Sequence, residues 1–155
     1  MTAISGKALF LDRDGVINRR LPGNYVKDWS EFVFLDGVLE AIPLFNKIFD
    51  KVFVVTNQQG IGKGLMTAAD LLAVHQRMLE KIEENGGLIN RIYYCPSLKH
   101  ATPNCRKPDP AMGFQAAADY PEINLNHSWM AGDSVSDIEF GWNCGMQTAL
   151  IATNP

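Results

Sequence analysis

Lys7-Ala8-Leu9-Phe10-Leu11-Asp12-Arg13-Asp14-Gly15 is the stretch that decides the fold, because an apolar run of strand length ends abruptly in two acids and a glycine. A buried strand carries no charge along its length. The two carboxylates therefore lie where the strand leaves the core, at the edge where open α/β sheets bind ligands. Asp12 and Asp14 are two residues apart and need a counter-charge to avoid mutual repulsion. Gly15 lets the chain turn sharply after them.

Apolar runs of strand length alternate with amphipathic helical patterns along the rest of the chain. Further strands are predicted at residues 51–55, 88–94, 128–131 and 147–152, and helices at 36–49, 67–84, 108–119 and 134–142. This alternation predicts an α/β fold, a Rossmann-like open parallel sheet with helices on both faces and right-handed crossovers. Pro43 either delays or kinks the first helix, and His75 is expected on the surface of the second. Residues 16–31 are either a surface connection or a small flap, and no large cap domain is predicted.

The composition is typical of a globular domain. The chain has 155 residues, of which 46% are hydrophobic and 20% charged, and its net charge is -3. A chain of this length buries about two-thirds of its unfolded surface, so we predict a single domain over residues 1–155. Nothing suggests a basic surface for nucleic acid, and no segment approaches the roughly 18 apolar residues of a membrane span. We expect a cytoplasmic monomer without a targeting segment at residues 1–6.

Three later positions can meet the first two acids. Thr56 ends the second predicted strand, Lys107 stands at the start of a helix, and Asp133 follows the fourth predicted strand. Because the carboxyl ends of parallel strands share one sheet edge, these side chains are expected near Asp12 and Asp14. Taken singly, each has a plainer interpretation. Thr56 and the Asp12–Asp14 pair are then turn residues, Lys107 is a solvated surface charge, and Asp133 caps a helix.

Taken together, the motifs resemble those of the haloacid dehalogenase-like (HAD) phosphohydrolases over nearly the whole chain. Within that family the sequence is most similar to the histidinol-phosphatase and heptose-bisphosphate-phosphatase subgroup. The segments that carry the resemblance are Phe10-Leu11-Asp12-Arg13-Asp14-Gly15, Val54-Val55-Thr56-Asn57-Gln58-Gln59-Gly60-Ile61, Tyr93-Tyr94-Cys95-Pro96, Cys105-Arg106-Lys107-Pro108 and Gly132-Asp133-Ser134-Val135-Ser136-Asp137. The resemblance implies a phosphoric monoester hydrolase.

The resemblance also implies roles for the clustered residues. Asp12 would be the nucleophile that forms an aspartyl-phosphate. Asp14 would be the acid and then the base, with a pKa raised by its neighbours so that it can hold a proton. Mg²⁺ would be held by the carboxylates of Asp12 and Asp133 and by the backbone carbonyl of Asp14, since hard cations prefer oxygen ligands. Thr56 would donate to the phosphoryl oxygens, and Lys107 would supply a fixed positive charge.

A second set of residues is expected around this centre. Asp137, four residues after Asp133, would support the site and pair with Lys107. Other residues would reach the phosphoryl group, the organic part of the substrate or a second phosphate. These substrate-binding candidates are Asn57, Gln59, Lys63 and Arg106.

The substrate implied by the resemblance is a small phosphorylated metabolite. The first choice is D-glycero-D-manno-heptose 1,7-bisphosphate, hydrolysed at position 7. The alternatives within the class are histidinol phosphate and other sugar phosphates. An alternative of another class is a phosphate-binding module that has lost catalysis.

One loop departs from the family pattern. Members of this subgroup often hold a structural zinc through a Cys-x-His and a Cys-x-Cys pair, whereas these positions here read Cys95-Pro96-Ser97 and Pro103-Asn104-Cys105. Cys95, Cys105 and His100 are an incomplete ligand set for a four-coordinate zinc, so no zinc is expected. The odd number of cysteines, in a chain long enough to fold without staples, predicts reduced thiols rather than a disulfide framework.

Overall fold

The computed structural model describes residues 6–152, so the expectation about a targeting segment falls largely outside them. The strands are β1 (Ala8–Leu11), β2 (Lys51–Asn57), β3 (Arg91–Cys95), β4 (Trp129–Gly132) and β5 (Gln147–Leu150). The helices are α1 (Val38–Ile48), α2 (Gln59–Gly62), α3 (Ala68–Glu84), α4 (Ala111–Asp119) and α5 (Val135–Asn143). Short 3₁₀ turns cover Trp29–Glu31 and Leu125–His127.

The five strands form one parallel sheet in the order β3-β2-β1-β4-β5. From β1 the chain crosses over to β2 on one side, and from β4 it crosses to β5 on the other. Ligands bind outside the carboxyl ends of strands where the crossovers diverge in this way. Asp12 follows β1 and Asp133 follows β4, so the topology brings these two acids to one crevice. The predicted open parallel sheet is confirmed.

Helices cover both faces of the sheet because successive strand side chains point to opposite sides. Phe10 of β1 packs in one buried cluster with Met112 of α4 and Phe140 of α5. Its neighbour Leu11 packs in the other cluster with Ile42 of α1 and Met78 and other residues of α3. Both faces are therefore apolar, which explains why the strands appear in the sequence as continuous hydrophobic runs.

Several element boundaries differ from the expectations. Helix α1 begins at Val38, later than predicted, and continues through Pro43 to Ile48. The segment after β2, where no helix was predicted, contains the short helix α2. In α3 the side chain of Thr67 accepts a hydrogen bond from the Asp70 N–H and completes a capping box, which explains its sharp start. Among residues 6–152, no helix has the length and apolarity that crossing a bilayer requires.

Residues 16–31 pack over the sheet edge. Ile17 and Val26 are buried and anchor the segment in the core. Asn18 bridges to Phe34, and the rings of Trp29 and Phe32 stack with centroids 4.9 Å apart. These contacts hold the segment against the body of the protein, where its middle part borders a cleft at the carboxyl ends of the strands.

Candidate active site

A cleft of about 480 Å³ opens at the carboxyl ends of β1, β2 and β4. The segment 16–31 forms one wall, and the loop before α4 contributes another part. The structure brings these predicted site residues to its lining: Asp12, Asp14, Asn57, Gln59, Lys63, Arg106, Lys107, Asp133 and Asp137. Thr56 is buried beneath the cleft at the end of β2.

Lys107 forms the buried charged centre of the cleft. Its Nζ donates to Asp12 Oδ1 at 2.9 Å, to Asp137 Oδ1 at 2.7 Å and to the Val55 carbonyl oxygen at 2.9 Å. The side chain is 2% exposed, so the interpretation of Lys107 as a solvated surface charge is wrong. Burial opposes its charge, but the carboxylates of Asp12 and Asp137 outweigh that effect and raise the pKa of Lys107.

The two carboxylates beside Lys107 differ in their proton affinity. Burial raises the pKa of Asp12 to about 7; Lys107 opposes this shift, and the nearby charge of Asp137 adds to it. Burial also acts on Asp137, but Lys107 and the hydrogen bonds of Asp137 lower the pKa of that carboxyl. The two pKa values are thus shifted in opposite directions, and a cation placed beside Asp12 would lower the pKa of that carboxyl again.

Asp14 is held by three donors. Its Oδ1 accepts from Arg13 Nη2 at 2.7 Å and from Asn18 Nδ2 at 2.9 Å, and its Oδ2 accepts from Gln58 Nε2 at 3.0 Å. Burial by itself would raise the pKa of Asp14, but the Arg13 charge and these hydrogen bonds outweigh burial and lower it. The expectation of a raised pKa is wrong for the protein without substrate. The sequence alone does not show that the guanidinium of the preceding residue, Arg13, is buried against this carboxylate.

A cluster of carboxylates offers ligands for a cation. Asp12, Asp133 and Asp137 each present an oxygen, and these atoms lie within 4.8 Å of one another. The Nη2 atom of Arg20 lies among the oxygens expected to bind metal. It is 3.0 and 3.1 Å from the two Asp133 carboxylate oxygens, 3.0 Å from the Asp14 carbonyl oxygen and 3.9 Å from Asp12 Oδ2. A positive group thus stands in for a cation, and the all-oxygen donor set suits Mg²⁺.

The start of α5 orients two of these acids. Ser134 is the N-cap of α5, and its side chain accepts from the Asp137 N–H, so the interpretation of Asp133 as the cap is wrong. The Oδ2 atom of Asp137 accepts from the Asp133 and Ser134 N–H groups. Asp137 is thereby fixed toward Lys107, and the carboxylate of Asp133 is left to face the cleft.

The end of β2 supports the centre from below. The Oγ1 atom of Thr56 accepts from Gln58 Nε2 at 2.9 Å, so one buried amide links Thr56 to Asp14. The side chain of Asn57 accepts from the Lys107 N–H at 2.9 Å and donates to the Lys107 carbonyl at 3.3 Å. The Asn57 side chain thus holds the backbone of Lys107 at the lining of the cleft.

The outer part of the cleft is positively charged. Lys63 Nζ lies 5.4 Å from the centroid of the Tyr25 ring, and Arg106 borders the same space. Gln59 donates to the Tyr25 hydroxyl at 3.2 Å and accepts from the Lys99 N–H at 2.7 Å. Burial would raise the pKa of Tyr25, but contacts and charge from Lys63, together with Gln59 and Arg106, outweigh burial and lower it. This end suits an anionic group.

The cysteine loop differs from the expectation of reduced thiols. Cys95 and Cys105 form a disulfide, whereas Cys144 is free and buried. The end of β3 and the turn before Arg106 bring the two Cα atoms to 5.7 Å, a separation that the sequence spacing alone did not reveal. Sulfur atoms bonded to each other are not thiolate ligands, so in this state Cys95, Cys105 and His100 do not form a zinc site.

Several residues of the site were not found from the sequence. Arg13 and Gln58 are fully buried and bind Asp14, and Asn18 binds the same carboxylate. His75, expected on a helix surface, is buried and contacts Arg13. For Arg13, its position between Asp12 and Asp14 was the one feature of the sequence that could have indicated a role in the site.

Known proteins are similar to this chain in sequence and in fold. A family model described as HAD-hydrolase-like matches residues 104–154. The D-glycero-alpha-D-manno-heptose-1,7-bisphosphate 7-phosphatase of Mycobacterium tuberculosis is 38% identical over 145 residues, covering 94% of this chain and 76% of that protein. The D-glycero-beta-D-manno-heptose-1,7-bisphosphate 7-phosphatase of Pseudomonas putida is 40% identical over 147 residues, covering 95% and 83%.

A solved structure gives the same result. The D,D-heptose 1,7-bisphosphate phosphatase from B. bronchiseptica, complexed with magnesium and phosphate, has a TM-score of 0.86 and 34% identity, covering 93% of this chain and 79% of that chain. The chain belongs to the HAD-like hydrolase family. The relatives named here are phosphatases, and this chain matches them along most of their length. The protein is therefore a phosphoric monoester hydrolase.

Proposed function

We propose that this enzyme is a Mg²⁺-dependent phosphatase that hydrolyses D-glycero-D-manno-heptose 1,7-bisphosphate at position 7 through an aspartyl-phosphate on Asp12. The observation that carries the proposal is the placement of Asp12 between two positive groups. The buried Lys107 ammonium lies on one side, and the Arg20 guanidinium lies on the other, at the position expected for a cation beside Asp133. A nucleophilic carboxylate flanked by two positive groups is what attack on a phosphate dianion requires.

The first step joins Asp12 to phosphorus. An Asp12 oxygen attacks the phosphorus atom in line with the departing alcohol oxygen, a P–O bond forms, and the ester P–O bond breaks. Asp12 is ionised when a cation lies beside it, since an opposite charge lowers the pKa of a carboxyl. Lys107 holds Asp12 in place and neutralises charge that spreads over the phosphoryl oxygens.

Asp14 supplies the proton for the leaving alcohol. A phosphate dianion beside Asp14 raises its pKa, which favours a protonated carboxyl when substrate is bound. Oδ1 accepts two hydrogen bonds, from Arg13 and Asn18, whereas Oδ2 accepts one, from Gln58, so Oδ2 is the oxygen with room for the proton. Transfer from Oδ2 to the alkoxide gives the neutral alcohol and leaves Asp14 as a carboxylate.

The second step releases phosphate. Asp14 accepts a proton from a water molecule as that water attacks phosphorus, and the bond between phosphorus and the Asp12 oxygen breaks. The products are inorganic phosphate, free Asp12 and protonated Asp14, which is ready for the next substrate. Mg²⁺ held by the Asp12 and Asp133 carboxylates and the Asp14 carbonyl would neutralise phosphoryl charge and orient the group.

The outer cleft favours a substrate with a second anionic group. Lys63 and Arg106 line the part of the cleft beyond Lys107, and Arg106 offers a guanidinium suited to bidentate contact with phosphate. Relatives from two bacterial groups are named for heptose bisphosphates, one for the alpha and one for the beta anomer. Histidinol phosphate, which carries one phosphate and a cationic end, matches this positive region less well.

A phosphate-release assay tests the proposal. The chain is assayed on both anomers of the heptose bisphosphate, on histidinol phosphate and on a sugar monophosphate, with Mg²⁺ and with a chelator. We expect Mg²⁺-dependent release that is fastest with the bisphosphate. Asp12→Asn should lose activity by about 100-fold or more, and the exposed Asp36→Asn should keep it.

Two outcomes would count against the proposal. Release that is fastest with histidinol phosphate would overturn the substrate assignment. Binding of phosphate or bisphosphate, seen as a thermal shift without any turnover, would favour the phosphate-binding module instead. Single-domain organisation over residues 1–155, a cytoplasmic location and a monomeric state are further parts of the proposal, which a cooperative unfolding curve, cell fractionation and sedimentation would test.

A further inference from the structure

His75 of α3 lies outside the cleft but reaches the catalytic centre through one buried residue. Its Nε2 atom is 3.0 Å from Arg13 Nη1, and Arg13 Nη2 donates to Asp14 Oδ1 at 2.7 Å. Arg13 is completely buried and His75 is 5% exposed. We infer that His75 is a positioning residue that fixes the Arg13 guanidinium and, through it, the orientation of Asp14 for proton transfer.

The hydrogen-bonding roles follow from the chemistry of the two side chains. Arginine has donors and no acceptor, so Nε2 of His75 must be the acceptor and the ring must be neutral. Burial, with a further contribution from the Arg13 charge, lowers the pKa of His75 to about 3, which agrees with a neutral ring. A protonated ring would have no acceptor for Arg13 and would place two like charges in contact.

Arg13 has few other polar contacts. Among residues 6–152 its Nε has no hydrogen-bond partner, and its guanidinium lies 5.8 Å from the centroid of the Phe32 ring. The contacts of Nη1 with His75 and of Nη2 with Asp14 therefore set the plane of the group. Without the His75 acceptor, a buried donor is left unpaired and the guanidinium can rotate away from Asp14.

Loosening Arg13 should affect one step more than others. Arg13 and Asn18 hold Oδ1 of Asp14 and Gln58 donates to Oδ2, and together these donors would set the direction in which Oδ2 meets the departing oxygen. An alkoxide leaving group needs the proton from Oδ2, whereas 4-nitrophenolate is stable enough to leave without it. A defect in Asp14 placement should therefore depend on the leaving group, and a general loss of stability should not.

The test compares kcat/KM for two substrates in matched variants. This inference rests on the proposed function, and kcat/KM reports the steps up to formation of the aspartyl-phosphate. In His75→Leu we expect kcat/KM to fall about tenfold for the sugar phosphate and by less than about twofold for 4-nitrophenyl phosphate. His75→Gln retains an amide oxygen as acceptor and should recover most of the loss.

Leu79→Ala is the control variant. Leu79 lies one turn further along α3 and packs against the hydrophobic cluster that contains Leu11 and Met78, so its loss loosens the helix without removing an acceptor for Arg13. The ratio of the two kcat/KM values should equal that of the unsubstituted chain. If His75→Leu does not fold, His75→Ala serves as the acceptor-free variant with the same expectation.

The possible results separate the role of His75 from the proposed phosphatase function. Equal losses for both substrates in the acceptor-free variant, or no loss at all, would overturn the role of His75 while leaving the proposed function intact. Failure of His75→Gln to recover activity would also overturn it. If the unsubstituted chain releases phosphate from neither substrate, the proposed function falls and this inference falls with it.

Discussion

Arg20 places a guanidinium where the cation is expected to bind. Because Nη2 contacts both Asp133 oxygens and the Asp14 carbonyl oxygen, Arg20 and a bound Mg²⁺ would compete for the same atoms. The Arg20 side chain is 52% exposed, so the competing contact is weak. We expect Arg20→Ala to bind Mg²⁺ more tightly by about two- to fivefold, the range of a partly exposed ion pair. Isothermal titration calorimetry without substrate measures this affinity.

The neighbouring Arg19 is the matched control for Arg20. It is exposed and does not line the cleft, so Arg19→Ala removes the same charge without vacating the site. Its Mg²⁺ affinity should stay close to that of the unsubstituted chain. Equal affinities in the two variants would show that Arg20 does not compete for the cation.

We expect Lys107 to contribute to stability as well as to the proposed chemistry. Lys107→Met would leave Asp12 and Asp137 buried without their shared counter-charge. Removing one member of a buried ionic group costs about 3–5 kcal/mol, and we expect a loss in the free energy of unfolding of that order. Chemical denaturation at neutral pH measures it. Lys99→Met at an exposed position should change stability by less than about 0.5 kcal/mol, and a similar small change in Lys107→Met would contradict the buried pairing.

At the scale of elements, the turn after β1 has to approach the turn after β4 closely. Gly15 has a φ of +90°, and a Cβ atom there would lie 2.0 Å from Asp133 Oδ2. Gly23 also has a positive φ, +69°, but a Cβ atom there would meet none of the described residues within 4 Å. An alanine at either position would strain the backbone, but only an alanine at Gly15 would also displace Asp133. Comparing the two substitutions therefore distinguishes these effects.

We expect Gly15→Ala to weaken Mg²⁺ binding and Gly23→Ala to leave it unchanged. Both substitutions carry the cost of a left-handed backbone, about 1–2 kcal/mol, but Gly15→Ala also pushes the Asp133 carboxylate out of the cluster. Thermal shifts over a Mg²⁺ titration compare the variants. Equal Mg²⁺ responses in both would mean that the close approach does not shape the cation site.

At the scale of the whole molecule, the strand order explains why distant motifs form one site. The crossovers from β1 and β4 run in opposite directions, so Asp12 and Asp133 face each other across the crevice. The sequence predicted this arrangement because strand-length apolar runs and the polar residues at their ends are local patterns. Lys107 was identified in another way, from its position at the start of a predicted helix and from the family resemblance, which covered its motif.

Long-range contacts were beyond the sequence argument. His75 and Arg13 are 62 residues apart, and the helical pattern of α3 does not reveal which polar group its buried face will meet. The pKa of Asp14 was predicted in the wrong direction because it depends on Arg13 being completely buried. The disulfide between Cys95 and Cys105 likewise depends on how the end of β3 approaches the following loop.

The central claim is that the phosphoryl group passes through Asp12. The most direct measurement is mass spectrometry of the peptide that contains Asp12, after rapid quenching of Asp14→Asn with 4-nitrophenyl phosphate and Mg²⁺. This variant lacks the base that hydrolyses the intermediate, whereas 4-nitrophenolate leaves without a proton, so the intermediate should accumulate. The account predicts one phosphoryl group on that peptide, which is absent when Asp12 is also changed to Asn. Turnover of the substrate by Asp14→Asn with no phosphoryl group on the peptide, or undiminished phosphate release by Asp12→Asn, would contradict it.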